Sequence, residues 1–280
     1  MDRQKKTFIL GVGAQKAGTT WLSTYLKKSD NYQHGLYKEY HVWDVLYIPD
    51  ITGIYREEKD WVELNKNNSD ITDQRLLMLT EPSKYFEYFE ALLNSNGKTI
   101  AADITPEYAG LKASEFQYIK LEFEKRGIHT KVVFLMRDPV ERCWSNIGMD
   151  TKHILDTIGI DRKSEENPRL MREVGNAGMQ RHTRYDLTIT ELEKVFSAED
   201  IYYGIFEEQF ETRNVQLLSD FLGVETKPQL ASVKVNVTDR GSEITENTIE
   251  TVVNEYKDVY RYCEMRFPQV KELWTGFDFL

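Results

Sequence analysis

The stretch FILGVGAQKAGTTWLSTYL, Phe8 to Leu26, carries residue types suited to holding a phosphate. An apolar run leads to Gly13 and Gly18, with four residues between them, and then to Thr19 and Thr20 at the start of an amphipathic segment. In such a loop successive backbone N–H groups and a helix N-terminus converge on an anion. The spacing departs in one respect from the pattern of nucleotide triphosphatases, which carry lysine between the second glycine and the hydroxyl residue. Thr19 stands in that place, and the lysine of the loop is Lys16, two residues before Gly18. The pattern implies an anionic group held by amides and hydroxyls, with an ammonium on a different part of the ligand. The alternative is a strand-to-helix turn that needs glycine only for positive φ.

The elements that must position this loop follow from hydrophobic periodicity. Phe8 to Val12 reads as a strand, and Trp21, Leu22, Tyr25 and Leu26 recur at helical spacing. Gly35 to Asp44 suits a short strand at the sheet edge, whereas Val45 to Asp73 has no readable pattern. Ser83 to Leu93 is helical, and TIAADIT is a buried strand ending at Thr105-Pro106-Glu107-Tyr108. A helix from Ala113 to Arg126 stops at Gly127. KVVFLM, Lys131 to Met136, is a strand followed by Arg137-Asp138-Pro139 and a helix through Glu141, Trp144 and Ser145.

Met149 to Thr183 is polar and poorly periodic, in keeping with a cover over a site or a solvated insertion. Leu187 to Phe196 reads as helix, Asp200 to Phe206 as strand, and Phe210 to Leu222 as helix ended by Gly223. A last helical stripe runs from Ile249 to Cys263. Strands alternating with helices predict an α/β, P-loop-type three-layer fold, with a central, mostly parallel sheet covered by helices on both faces. Ligands bind at the carboxyl ends of such strands. Gly13 to Thr20, Lys38 to His41, Thr105 to Tyr108 and Arg137 to Ser145 are therefore expected to meet in one crevice.

A chain of 280 residues can form one domain, with substrate-covering insertions at about 45–75 and 149–183. Hydrophobic residues at 40% and aromatic residues at 12% exclude a disordered chain. The net charge of −10 argues against nucleic acid as a partner, since phosphate-backbone affinity needs a basic surface. Cys143 and Cys263 are too few for a disulfide framework or a cysteine-rich metal site, although one bridge between them remains open. The apolar run after the N-terminal charges is shorter than a membrane span and lacks a cleavage pattern, so the expected location is cytoplasmic.

QKAGTTWL, Gln15 to Leu22, resembles the 5′-phosphosulfate loop of the sulfotransferases that use 3′-phosphoadenosine 5′-phosphosulfate, PAPS. RDPVERCWS, Arg137 to Ser145, resembles their 3′-phosphate motif, with Arg and Ser eight positions apart. KEYHVWD, Lys38 to Asp44, is similar to the KE-x-HFFD stretch of the carbohydrate sulfotransferases of the heparan sulfate class, and ITPEY matches a comparable TPEY. GIFEEQFETRNVQLLSDFLG, Gly204 to Gly223, is similar to the family's YEDL-to-FLG segment. The matches occur in family order and span most of the chain.

The resemblance implies PAPS as sulfate donor, 3′,5′-adenosine diphosphate (PAP) as product, and no metal. Amides around Ala17 and Gly18 and the hydroxyls of Thr19 and Thr20 would hold the 5′-phosphate, with Lys16 against the bridging oxygen of the phosphosulfate. Arg137 and Ser145 would bind the 3′-phosphate. Trp21 would stack on adenine and Phe206 on its other face, although either can equally be core. Glu39 would be the general base, accompanied by His41 and balanced by Lys38. Arg240 and Gly241 echo a later 3′-phosphate loop thinly. The acceptor would be a hydroxyl or amine of a small molecule or carbohydrate. The paired cysteines and basic cleft of the animal enzymes are not recognisable, which with the acidic balance argues against a highly sulfated polyanion.

Plainer readings stand beside these. Arg137 can pair with Asp138 or Glu141 at the helix start, Glu39 can serve a surface cation, and His34 is a rival base. Two other function classes remain, a small-molecule kinase and a nucleotide-binding module without transfer activity. The kinase needs magnesium and a lysine where Thr19 stands.

Overall fold

The structure, a computed structural model, describes residues 5–48, 69–158, 162–230 and 242–280. Four strands form the sheet: β1 (Lys6–Gly13), β2 (Ile100–Ile104), β3 (Ile128–Met136) and β4 (Ile201–Ile205), in the order β2-β1-β3-β4. Every pairing is parallel, with Phe8 opposite Ala101, Leu10 opposite Val132 and Val133 opposite Tyr202. β2 is buried throughout, as are the last five residues of β3, as expected of parallel strands covered on both faces. The expected three-layer α/β architecture is present.

Helix α1 (Thr19–Leu26) follows β1, and the five-residue α2 (Trp43–Tyr47) follows an irregular segment. α3 (Ser69–Thr80) and α4 (Ser83–Ser95) precede β2, α5 (Ala113–Glu124) links β2 to β3, and α6 (Pro139–Ile158) leaves β3. Phe8 of β1 packs on Tyr85 and Phe89 of α4 and on Phe123 of α5, with ring centroids 6.1, 4.7 and 4.1 Å apart. That cluster seats both helices on the sheet. α10 (Thr212–Leu222) ends at Gly223 with φ 73°, as its sequence predicts, and its Ser219 meets Tyr25 of α1 at 2.6 Å. No helix among the described residues is long and apolar enough to cross a membrane.

Three expectations are corrected. The segment from Gly35 to Asp44 is not a strand. Side chains take its ladder donors: Leu36 N donates to the Tyr40 and Tyr88 hydroxyls and Tyr40 N to the Asp103 and Thr105 side chains, so that its backbone meets β2 through the bond from Ile104 N to Lys38 O without forming a ladder. The described part of 149–183 is helical: the end of α6, then α7 (Arg162–Glu173) and α8 (Ala177–Thr183). Leu170, Val174, Met179 and His182 are buried, so this part is packed into the core instead of forming a solvated insertion. The C-terminal stripe is two helices, α11 (Glu246–Glu255) and α12 (Lys257–Arg266), broken at Tyr256, whose hydroxyl bonds Val174 O at 2.5 Å. α9 (Tyr185–Glu193) and the single turn α13 (Val270–Leu273) complete the helices used below. Cys143 and Cys263 are both buried and free.

Candidate active site

Because all four strands run the same way, their carboxyl ends lie along one edge of the sheet. At the end of β1, Gly13 and Gly18 have φ of 126° and 94°, and Lys16 itself is left-handed at 70°. Gly18 caps α1 with no side-chain hydrogen bond, and no acidic residue lies in the first turn. This helix end keeps its partial positive charge for a ligand. A side chain at Gly18 would collide with Gln209, whose Oε1 lies 2.9 Å from the ideal Cβ position. Both polar atoms of the Gln209 amide are buried without a hydrogen-bond partner among the described residues. An amide left unsatisfied against a phosphate-type loop suits a ligand that completes it.

The segment carrying Glu39 is fastened beside the end of β2. Ile104 N donates to Lys38 O at 2.9 Å, and Tyr40 N donates to Thr105 Oγ1 at 3.0 Å. Under it lies Asp103, fully buried, which accepts from Tyr85 and Tyr108 hydroxyls at 2.8 Å each and from Thr105 at 2.6 Å. Burial lifts its pKa to about 6 against the pull of those bonds. Arg75, buried in α3, donates to Tyr40 O and His41 O at 2.9 Å each and so holds His41 at φ 49°, a left-handed conformation that costs a residue with a side chain.

So held, His41 joins two carboxylates. Its Nδ1 is 2.8 Å from Asp44 Oδ2 and its Nε2 is 3.3 Å from Glu39 Oε2. Burial alone would lower the His41 pKa, but the hydrogen bonds and charges of Asp44 and Glu39 raise it to about 10, so at neutral pH the ring is an imidazolium. Burial would raise the Glu39 pKa, but hydrogen bonds from His41 and Lys38 outweigh it and hold Glu39 below the usual range. Lys38 Nζ lies 2.6 Å from Glu39 Oε1 and 3.3 Å from each of the Thr19 and Thr20 hydroxyls. The proposed base and the phosphate-type loop are therefore in contact through one ammonium.

Glu107 faces the same group. Its Oε2 is 4.0 Å from His41 Nδ1 and its Oε1 is 3.7 Å from His182 Nε2. Burial raises Glu107 to about 6, while burial beside Arg142 and Arg181 keeps His182 well below its ordinary value and therefore neutral. The 3.7 Å contact is accordingly not an ion pair. Ligand atoms of Glu39, His41 and Glu107 lie within 4.8 Å of one another. Both His41 nitrogens are engaged by carboxylates.

On the other side of the loop, Arg137 donates to Lys16 O at 3.3 Å and pairs with Glu141 at 2.9 Å, and its guanidinium sits 4.5 Å from the Phe206 ring centroid. Its Nε is buried without a partner among the described residues. Ser145 stands two turns along α6, half-buried, and the neighbouring Asn146 ties that helix to the loop through Gln15 Oε1 at 3.0 Å. A cavity of about 300 Å³ opens beside Arg137, between Phe206 and Phe210 and the C-terminal residues Leu273 and Thr275. Trp21 is buried, stacks on Tyr25 and donates to Leu230 O at 3.0 Å, so its environment is that of a core residue. His34 is exposed, packs on Tyr32 and is held below its ordinary pKa by partial burial and the charges of Lys27 and Lys98.

The structure thus brings together Lys16, Ala17, Gly18, Thr19 and Thr20 with Glu39 and His41 on one side and Arg137 on the other. Arg240 and Gly241 lie outside the described residues. Lys38 as the bridge, Arg75, His182 and Gln209 were not singled out for these roles by sequence. Glu107 and Gln209 lie within one turn after the ends of β2 and β4, which is the one signal by which sequence could have found them.

Among solved structures, a sulfotransferase from Alicyclobacillus acidocaldarius matches with a TM-score of 0.59 at 19% identity, over 93% of this chain and 95% of that one. The sulfotransferase domain of the Synechococcus PCC 7002 olefin synthase matches at 13% identity and a TM-score of 0.43, over 89% of this chain and 93% of that one. A sulfotransferase from Mycobacterium avium matches at 13% and 0.44, over 92% and 77%. No family model and no curated protein matches the chain. What the first comparison establishes is architecture: the chain has the α/β fold of a bacterial sulfotransferase.

Proposed function

We propose that the protein transfers a sulfuryl group from PAPS to a hydroxyl or amine of an acceptor, with a carbohydrate as the acceptor class indicated by the resemblance of KEYHVWD. One observation carries this reading. The anion-binding end of α1 lies between a carboxylate, Glu39, reached through Lys38, and a guanidinium, Arg137, bound to Lys16 O. Sulfuryl transfer needs a base on one side of the loop and a 3′-phosphate ligand on the other.

The residues fit the donor. The unsatisfied Gln209 amide and Arg137 Nε border a loop in which Gly18 leaves room for close approach. Ala17, Gly18, Thr19 and Thr20 would hold the 5′-phosphate, and Arg137 and Ser145 the 3′-phosphate, with Arg240 and Gly241 added by resemblance. Trp21 would support the adenine side from within the core. When bound, the donor supplies the sulfuryl group and departs as PAP. Glu39 takes the proton that the acceptor loses as its oxygen or nitrogen bonds to sulfur. His41 fixes the Glu39 carboxylate, and Asp44 fixes His41. Lys16 and the helix N-terminus stabilise the negative charge that develops on the phosphate oxygen as the S–O bond breaks.

Calorimetric titration with PAP tests the reading. Micromolar to near-millimolar binding that does not require magnesium supports it, and no binding in that range removes it. ATP with magnesium binding in preference to PAP would favour a kinase. With an accepted substrate, Lys16→Ala is expected to abolish transfer while the fold is retained.

A further inference from the structure

The contacts of Lys38 carry a consequence for how donor and base are coupled. Its backbone is fixed by the hydrogen bond from Ile104 N to Lys38 O, so its freedom lies in the side chain. The ammonium makes one short contact, 2.6 Å to Glu39 Oε1, and two long ones, 3.3 Å to the hydroxyls of Thr19 and Thr20. Glu39 Oε2 is meanwhile taken by His41. Both oxygens of the carboxylate are thus engaged. Each oxygen keeps a second lone pair for a third group, but the Lys38 charge beside Oε1 makes that oxygen a weaker acceptor of a proton.

We propose that Lys38 is a further donor-binding residue whose ammonium is shared between Glu39 and the phosphate-type loop, so that an anion on Thr19 and Thr20 draws it off Glu39 Oε1 and leaves that oxygen the stronger base. The inference rests on the PAPS reading, because it takes the loop hydroxyls as ligands of an anionic donor. A phosphate monoester at those hydroxyls carries close to two negative charges at neutral pH against one on the Glu39 carboxylate, so it competes with Glu39 for the ammonium. Lys38 then supplies in space the cation missing from the Thr19 position in sequence. Removing that ammonium also removes one of the two partners that hold Glu39 below its usual range. The base is stronger when the donor is loaded than when it is not.

Calorimetry with PAP on the full chain tests this without any acceptor. Lys38→Met is expected to weaken PAP by about tenfold or more, the worth of one charged hydrogen bond. Glu39→Gln, which removes the rival anion but keeps the shape, is expected to tighten PAP by roughly threefold or more, as expected when a modest ion pair no longer competes. In the double variant that gain disappears. Lys38→Arg, which keeps the charge, retains most of the affinity, and it carries the comparison with Glu39→Gln if Lys38→Met does not fold. A Lys38→Met variant that binds PAP like the wild type, or a Glu39→Gln gain of the same size with and without Lys38, overturns the proposal. A wild-type chain that binds no PAP removes instead the donor reading beneath it.

Discussion

Arg137 and Glu141 form a 2.9 Å ion pair one turn apart at the start of α6, and the same guanidinium lies over Phe206. A 3′-phosphate at Arg137 therefore competes with a carboxylate for the same guanidinium. Glu141→Gln should tighten PAP by about fivefold, the scale of a partly exposed pair, and Arg137→Ala should weaken it well beyond that. Titration calorimetry at two salt concentrations reads both. An unchanged affinity for Glu141→Gln would mean that the guanidinium is not the phosphate ligand.

Gln209 gives a prediction with two opposite signs. Replacing it with leucine removes a buried amide that has no partner, and should raise stability by about 1 kcal/mol. The same change should weaken PAP, because the amide borders Gly18. Thermal unfolding with and without PAP separates the two effects. A variant less stable in both conditions would make Gln209 a packing residue.

The protonated state of His41 predicts a pH dependence. Its folded pKa is raised from 6.5 to about 10, so its contribution to stability is fully present below pH 6.5 and is lost as pH rises through about 10. Urea unfolding of wild type should lose ground to His41→Gln across that window, by up to about 1.4 kcal/mol per pH unit. Asp44→Asn should move the loss to lower pH. Parallel curves for wild type and His41→Gln would show that the imidazolium is absent.

Asp103→Ala would leave two tyrosine hydroxyls and a threonine hydroxyl short of their buried acceptor, and the Tyr40 N–H with Thr105 Oγ1 alone. A cost of about 3 kcal/mol or more is expected, on the scale of several orphaned buried donors. Hydrogen exchange should rise first at Lys38 to His41, since Tyr40 is anchored there. Protection unchanged in that segment would uncouple Asp103 from the site.

The parts of the molecule written locally were legible in the sequence. β1, β2 and β3 are apolar runs with glycine or proline close to an end, β4 is an apolar run between acidic residues, and the phosphate-type loop follows from glycine spacing. Glu39, His41 and Arg137 were singled out from short motifs, of which only that of Arg137 directly follows a strand. The lost edge strand was hidden by a side-chain event, Tyr40 folding back to bond Leu36 N, which no period records. Helicity across Met149 to Thr183 was missed because α7 has few apolar residues and is stabilised by packing on α6 and α11. Arg75 lies beside a stretch without any pattern and acts on carbonyls 34 and 35 residues away. Partnerships of that kind exist only after the chain has folded.

The strand order has a consequence for engineering. β1 carries the loop in the middle of the sheet, with β2 on one flank holding the Lys38–His41 and Thr105–Tyr108 segments, and β3 and β4 on the other leading to Arg137 and Phe206. On the reading proposed above, Glu39 and Arg137 stand on opposite sides of one strand, with Lys38 reaching from the β2 flank to the loop. Under that reading, grafting at the β2 edge that spares Lys38 changes the acceptor while the Arg137 flank is left as it is, which makes that edge the natural target for laboratory retargeting.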